Sequence, residues 1–142
     1  MKTPALNADE IADILRKEFP QAFYEGCGLT IERVAHGDIR VRRHFHDDFL
    51  RPGGTISGPT MMTLADFAMY VGLLASIGPV PLAVTTNLNI NFLRKPGTRD
   101  LIAECRLLKL GKRLAVGEVL IFSEGIEEPV AHVTSTYSIP SK

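Results

Sequence analysis

The chain has 142 residues, 45% of them apolar, with 16 basic and 16 acidic side chains and therefore no formal net charge. That length suits one domain, 1–142, with a core of its own, and nothing in the charge balance suggests the basic excess that a nucleic-acid-binding face needs. Cys27 and Cys105 match no metal-binding spacing, and the opening MKTPALNADE has no apolar signal core, which predicts two reduced thiols in a cytoplasmic protein.

Asn7-Ala-Asp-Glu10 has the spacing of a capping box, and Ile11, Ile14, Leu15 and Phe19 follow at helical spacing. This predicts an amphipathic helix from about Ala8 to Glu18, stopped before Pro20, inside an N-terminal lead-in of residues 1–25. Gly26 and Gly28 mark a loop around Cys27. Leu29, Ile31 and Val34 suit a strand, and His36-Gly37-Asp38 suits a turn. Ile39 and Val41 alternate with Arg40 and Arg42, which predicts a second strand antiparallel to the first. A loop is expected from His46 to Gly54. Ser57 is a candidate N-cap and Pro59 suits the first helical turn. The helix is expected to reach Ser76 or Ile77, where Gly78 and Pro79 stop it. It is apolar on nearly every side, which predicts burial all round. The Gly, Pro, Ser, Asn and Asp66 that interrupt this weakly charged stretch argue against a membrane span.

From Ala83 to Leu93 alternation is strict, with Asn87, Asn89 and Asn91 on one face and Leu88, Ile90 and Phe92 on the other. Leu101–Leu110, Leu114–Ser123 and Val130–Ile139 read as three more strands. The expected architecture is α+β: an antiparallel sheet wrapped around one long central helix, its last four strands a sequential meander. Such a sheet leaves a second face and two edges to cover, which dimerisation would address.

Between Arg51 and Arg94 the only charged residue is Asp66. At three and four positions either side stand Met62, Thr63, Met69 and Tyr70, none of them cationic; Thr63 and Tyr70 are the local hydrogen-bonding candidates. A carboxylate in an apolar helix is costly unless it is paired, protonated or used. Asp66 is therefore a candidate general base or nucleophile, the alternative being a structural carboxylate satisfied by local donors. The turn Gly53 to Gly58 leads into a helix N-terminus, where free N–H groups and the helix dipole favour negative charge. Gly58 N–H could hold a developing oxyanion, or these residues only shape the turn and cap the helix. Gly58 and Asp66 are eight positions apart, about 12 Å along a helix axis. They cannot act on one carbonyl within one chain, so cooperation between them requires two subunits.

Arg51, Gly54, Pro59 and Phe67 flank these positions and are candidate substrate contacts. Met61, Met62 and Met69 suit the core or the lining of a pocket. Asn87 and Asn89 form either a polar pocket wall or a hydrated sheet face. His44-Phe-His46-Asp47-Asp48 matches part of a metal-hydrolase HxHxDH run, but Phe49 replaces the final His, and His36 and His132 give no ligand spacing. No metal is expected.

The runs GGTISGPTMMTLADFAMY, NLNINFLRKP, GKRLAVGEVLIFS and AHVTSTYSIP resemble the PaaI-like branch of the hotdog-fold acyl-CoA thioesterases, within the 4-hydroxybenzoyl-CoA thioesterase superfamily. The resemblance covers roughly Gly28 to Pro140. It implies hydrolysis of a small-molecule acyl-CoA thioester, with Asp66 as the catalytic carboxylate and Gly58 N–H as the oxyanion donor across a dimer. Ser57 would stand beside them at the thioester carbonyl. It further implies homodimers that pair into dimers of dimers, no cofactor beyond the coenzyme A of the substrate, and no membrane or nucleic-acid partner. Cations at strand ends, Arg94, Lys95, Lys112 and Arg113, would meet the phosphates of coenzyme A or remain solvated turn charges. Three positions depart from the family pattern: Ser57 stands where His is usual, Arg51-Pro52 where an Asn is usual, and Phe67 where Thr or Ser often follows the Asp. Two alternatives follow. One is a non-catalytic acyl-CoA or lipid-binding protein of the same fold. The other is a hydratase or dehydratase relative, disfavoured because no Asp/His pair stands at the helix start.

Overall fold

A 20-residue helix, α2 (Gly58–Ile77), packs against a six-stranded sheet whose pairings are all antiparallel. The structure, a computed structural model, describes residues 2–141. Before α2 come α1 (Ala8–Glu18), β1 (Leu29–Ala35), β2 (Asp38–Arg43) and a small hairpin, β3 (Leu50–Arg51) with β4 (Thr55–Ile56). After it come β5 (Val84–Phe92), β6 (Leu101–Leu110), β7 (Leu114–Ser123) and β8 (Ala131–Ser138). This is the expected hotdog arrangement of sheet and central helix.

Local chemistry explains the helices. The capping box of α1 forms, Asn7 and Glu10 each accepting the other's backbone N–H. Ile11 and Leu15, one turn apart, are fully buried. Ser57 caps α2, and Gly78, at φ +88°, ends it. By length and composition α2 could cross a membrane, but 72% of its most apolar window is buried inside this chain. Val71, Leu73 and Leu74 have no exposed surface, and each such side chain removed from water contributes roughly 1.5–3 kcal/mol. The sheet meets the helix closely: a Cβ on Gly117 of β7 would stand 2.6 Å from the Met69 sulphur. Cys105 of β6 is buried here too, and burial pushes its thiol up to about 12.

The strand order is β1-β2-β6-β7-β8-β5, which corrects the expected four-strand meander. β6, β7 and β8 are sequential neighbours, but β5 pairs with β8 at the far edge and β6 pairs with β2. Alternation reports the face a residue occupies, not the strand that lies beside it. The expected His46–Gly54 loop also contains a 3₁₀ turn at Asp47–Phe49 and the first strand of the β3–β4 hairpin.

The two sheet edges differ. β1 carries Glu32 and Arg33 and has a register shift between Ile31 and Arg33, both devices that discourage further pairing. β5 reads VTTNLNINF, without a charge, and Val84 and Phe92 are more than half exposed. On the β1 side of the sheet, Arg42 joins Glu32 at 2.6 Å and Asp100 at 3.1 Å, and also pairs with Glu124.

Candidate active site

Asp66 opens onto a cavity of about 470 Å³. One wall is α2, through Pro59, Thr60, Thr63, Leu64 and Phe67. The segment between α1 and β1 forms another, with Phe19, Tyr24 and Cys27; Arg43 and Phe49 close one side, and Tyr70 and Tyr137 the other. Among the described residues Asp66 is the one carboxylate in this lining.

The partners of Asp66 are neither Thr63 nor Tyr70. Its Oδ1 accepts hydrogen bonds from Thr85 Oγ1 at 2.5 Å and from Tyr137 OH at 2.9 Å. The Tyr137 hydroxyl lies equally within reach of the Asp66 carbonyl oxygen, at 3.1 Å, a bifurcated arrangement. Thr85 and Tyr137 are cross-strand partners on β5 and β8. A register shift between Thr85 and Asn87 puts Thr85 on the inner face. Strict alternation from Leu88 would have put Thr86 there, so that irregularity hid Thr85 from the sequence. Burial raises the Tyr137 pKa; the Thr85 hydrogen bond lowers it less, and the Asp66 charge raises it further. The phenol therefore stays protonated and donates.

With Oδ1 occupied, Oδ2 has no protein partner among the described residues, and no buried side-chain oxygen or nitrogen lacks one there. Oδ2 is accordingly accessible. Tyr70 OH is engaged elsewhere, donating to Pro81 O at 3.1 Å. Its ring lies 6.2 Å from that of Tyr137 and 6.1 Å from that of Phe19, so aromatic contacts fix the wall around Asp66.

At the start of α2, Ser57 Oγ lies 2.8 Å from Thr60 Oγ1 and accepts Thr60 N–H at 3.4 Å. Ser57 N–H donates to Phe49 O at 2.8 Å, tying the helix start to the segment before β3. Gly58 is the first helical residue, and its position tolerates little else: a Cβ there would lie 3.0 Å from the Phe92 ring.

Of the other sequence candidates, Pro59 and Phe67 line the cavity with Asp66. Arg51 and Gly54 stand at the exposed tip of the β3–β4 hairpin. Met62 is 40% exposed on α2, outside the cavity lining. Asn87 and Asn89 are exposed along the edge strand β5. Arg94 donates to Pro129 O at 2.7 Å, and Lys112 and Arg113 are exposed at the β6–β7 turn. The cavity thus gathers Asp66, Pro59 and Phe67, and adds Tyr137, Arg43 and an aromatic surround that sequence reasoning passed over.

A sheet-wrapped helix bearing one cavity-facing carboxylate is a hotdog thioesterase layout, and the comparisons agree. The sequence model of the thioesterase superfamily matches residues 53–130, and the chain belongs to that family. A candidate thioesterase from a Silicibacter species, known from its crystal structure, is 47% identical, with a TM-score of 0.88 over 99% of this chain and 96% of that one. A mutant of the phenylacetic acid degradation protein PaaI from Thermus thermophilus is 28% identical, with a TM-score of 0.71 over 82% and 96%. A Streptococcus mutans protein solved bound to acetyl CoA shares the fold, at 22% identity and a TM-score of 0.72 over 80% and 90%. Within the superfamily the chain is PaaI-like.

Proposed function

We propose that this protein hydrolyses an acyl-CoA thioester to the free acid and coenzyme A, with Asp66 as its catalytic carboxylate. The observation that carries the reading is the state of that carboxylate: Oδ1 fixed by two hydroxyls, Oδ2 free, in a largely apolar cavity. The acetyl CoA held by the Streptococcus mutans relative supports a coenzyme A thioester as the substrate class.

In the reaction, Oδ2 takes a proton from a water as that water attacks the thioester carbonyl carbon. The C–S bond then breaks and the thiolate leaves with a proton. Alternatively Oδ2 attacks the carbon itself, expels the thiolate and forms an anhydride that water opens. A single turnover in heavy-oxygen water that labels Asp66 identifies the second route, with water opening the anhydride at the Asp66 carbon, because the first route labels only the product acid.

The oxyanion that develops needs a donor, and Gly58 N–H of the same chain is too far along the helix. β5 supports a second copy as its source. Its Thr85 touches Asp66 and its Phe92 lies against Gly58, so the unpaired edge runs from one half-site to the other. Antiparallel pairing of β5 with its own copy, centred near Leu88 and Asn89, would bring the copy's Gly58 end toward this chain's Asp66 end. The same pairing would cover the uncharged edge.

A reading as a binding protein without turnover draws on Ser57, which carries no imidazole and whose hydroxyl is engaged with Thr60. One assay decides: a panel of acyl-CoA thioesters followed with a thiol-reactive dye. Hydrolysis by the wild type is expected, and Asp66→Asn should lose about 10²-fold or more in kcat while retaining its circular dichroism spectrum and acyl-CoA binding. Thiol release at the wild-type rate in Asp66→Asn would remove Asp66 from the mechanism. Wild-type binding without release would favour the binding protein.

A further inference from the structure

Arg43 is an arginine on the core side of its strand. β2 turns Ile39 and Val41 inward, both fully buried, and Arg43 is next in that alternation. Its side chain lines the same cavity as Asp66. The guanidinium stacks over Phe49, 4.7 Å from the ring centroid, and donates Nη1–H to Cys27 O at 2.9 Å. Gly26 and Gly28, with φ of +85° and +81°, bend the turn that presents this carbonyl. Arg16, Arg33, Arg40, Arg42 and Arg106 pair with carboxylates, and Arg51, Arg94, Arg99 and Arg113, which do not, are exposed, whereas Arg43 is half-buried. Among the described residues no carboxylate pairs with Arg43, and burial draws its pKa down.

A guanidinium has five N–H donors in a planar fork, and one of them is spent on Cys27. Contact with Phe49 limits the motion of the Arg43 guanidinium, and among the described residues its other donors have no hydrogen-bond partner. A cation drawn partly out of water without a counter-ion carries a desolvation cost, which an anion on those donors would offset through paired, charge-assisted bonds. Position says which anion. Phe49 O accepts Ser57 N–H, so Phe49 and the guanidinium on it lie toward the start of α2. Asp66 is nine positions further along than Ser57, about 13 Å of helical rise. Thr63, Leu64 and Phe67 line the cavity between them.

We infer that Arg43 sets the substrate class: the cavity takes acyl thioesters whose acyl chain carries a carboxylate at the end remote from the thioester. This rests on the thioesterase reading for the orientation, thioester carbonyl at Asp66 and tail toward Arg43. A methyl-terminated tail would leave the fork unpaired, and a site built to hydrogen-bond a group discriminates against the analogue that lacks it.

The test compares hexanoyl-CoA with adipoyl-CoA, equal in carbon number and differing by one terminal carboxylate. The wild type is expected to favour adipoyl-CoA by about tenfold or more in kcat/KM. Arg43→Met should bring that ratio to about one, and Arg43→Lys, charged but without the fork, should give an intermediate ratio. Melting temperatures of both variants report that they fold. The same acyl groups on pantetheine, which lacks the coenzyme A phosphates, should show the same preference. A wild-type ratio near one, with Arg43→Met weakening every CoA thioester equally and sparing the pantetheine thioesters, would assign Arg43 to a phosphate and overturn the inference. Calorimetry on Asp66→Asn reads the preference without turnover. Tighter adipoyl-CoA binding there upholds the Arg43 subsite even where no thioester is hydrolysed, and equal binding overturns it even where hydrolysis proceeds.

Discussion

Asp66 does its proposed work through what holds it. Two hydroxyls from different strands converge on Oδ1, which restrains the carboxylate and leaves Oδ2 open to the cavity. A hydrogen bond to a charged group is worth about 1.5–3 kcal/mol. Tyr137→Phe is therefore expected to lower kcat by about tenfold with KM changed less than about twofold, because positioning matters most in the transition state. Steady-state kinetics on a well-cleaved thioester measures both. The sequence made Asp66 visible as a lone charge in an apolar helix, yet not its partners. Tyr137 lies 71 positions away on β8, and Thr85 reaches the inner face through a strand irregularity that no alternation encodes. Arg43 was legible in principle, since it follows Ile39 and Val41 at the same spacing, but a terminal arginine reads more simply as the solvated end of a strand.

At the scale of elements, the central contact is α2 against β6 and β7. It depends on missing side chains: Gly117 admits Met69, and Gly72 brings the helix within 3.4 Å of Cys105 Sγ, measured from the place a Cβ would take. Gly117→Ala would press on the Met69 sulphur and on the Arg106 carbonyl, 3.2 Å away. Overpacking of this kind costs about 1–3 kcal/mol, so thermal melts should show a lowered midpoint with an unchanged spectrum. Helix α2 and strands β6 and β7 were legible in the sequence because caps, apolar content and period-two runs are local signals. The strand order was not: β5 and β6 are neighbours in the chain and lie on opposite sides of the β7–β8 pair. That order decides the site, because it sets β5 at the edge, beside Asp66 at one end and Gly58 at the other.

At the scale of the whole molecule, charge sets the response to acid. Burial raises the Glu32 pKa, but hydrogen bonds and charge from Arg42 and Arg40 outweigh it and hold the carboxyl below its ordinary value. Asp100 is likewise held down: burial opposes, and the Phe45 N–H, Arg42 and His44 prevail. Groups with depressed folded pKa values add stability above the unfolded pKa, about 4, and that stability is lost as pH falls through the folded values. Melting curves from pH 7 down to about pH 3 should fall steeply in the wild type, and less steeply in Arg42→Met, which starts lower at pH 7. A parallel fall in both proteins would place the acid sensitivity elsewhere. The same scale holds the central claim, that a working site joins Asp66 of one copy to Gly58 N–H of another. An ester in place of the Ser57–Gly58 amide removes that N–H without setting a Cβ against the Phe92 ring, and Asp66→Asn removes the carboxylate. Each variant alone is expected to be inactive. Mixed dimers isolated through two different affinity tags should regain about half of the wild-type activity, because two-fold symmetry then leaves one intact site per dimer. Mixed dimers as inactive as either parent would contradict the account.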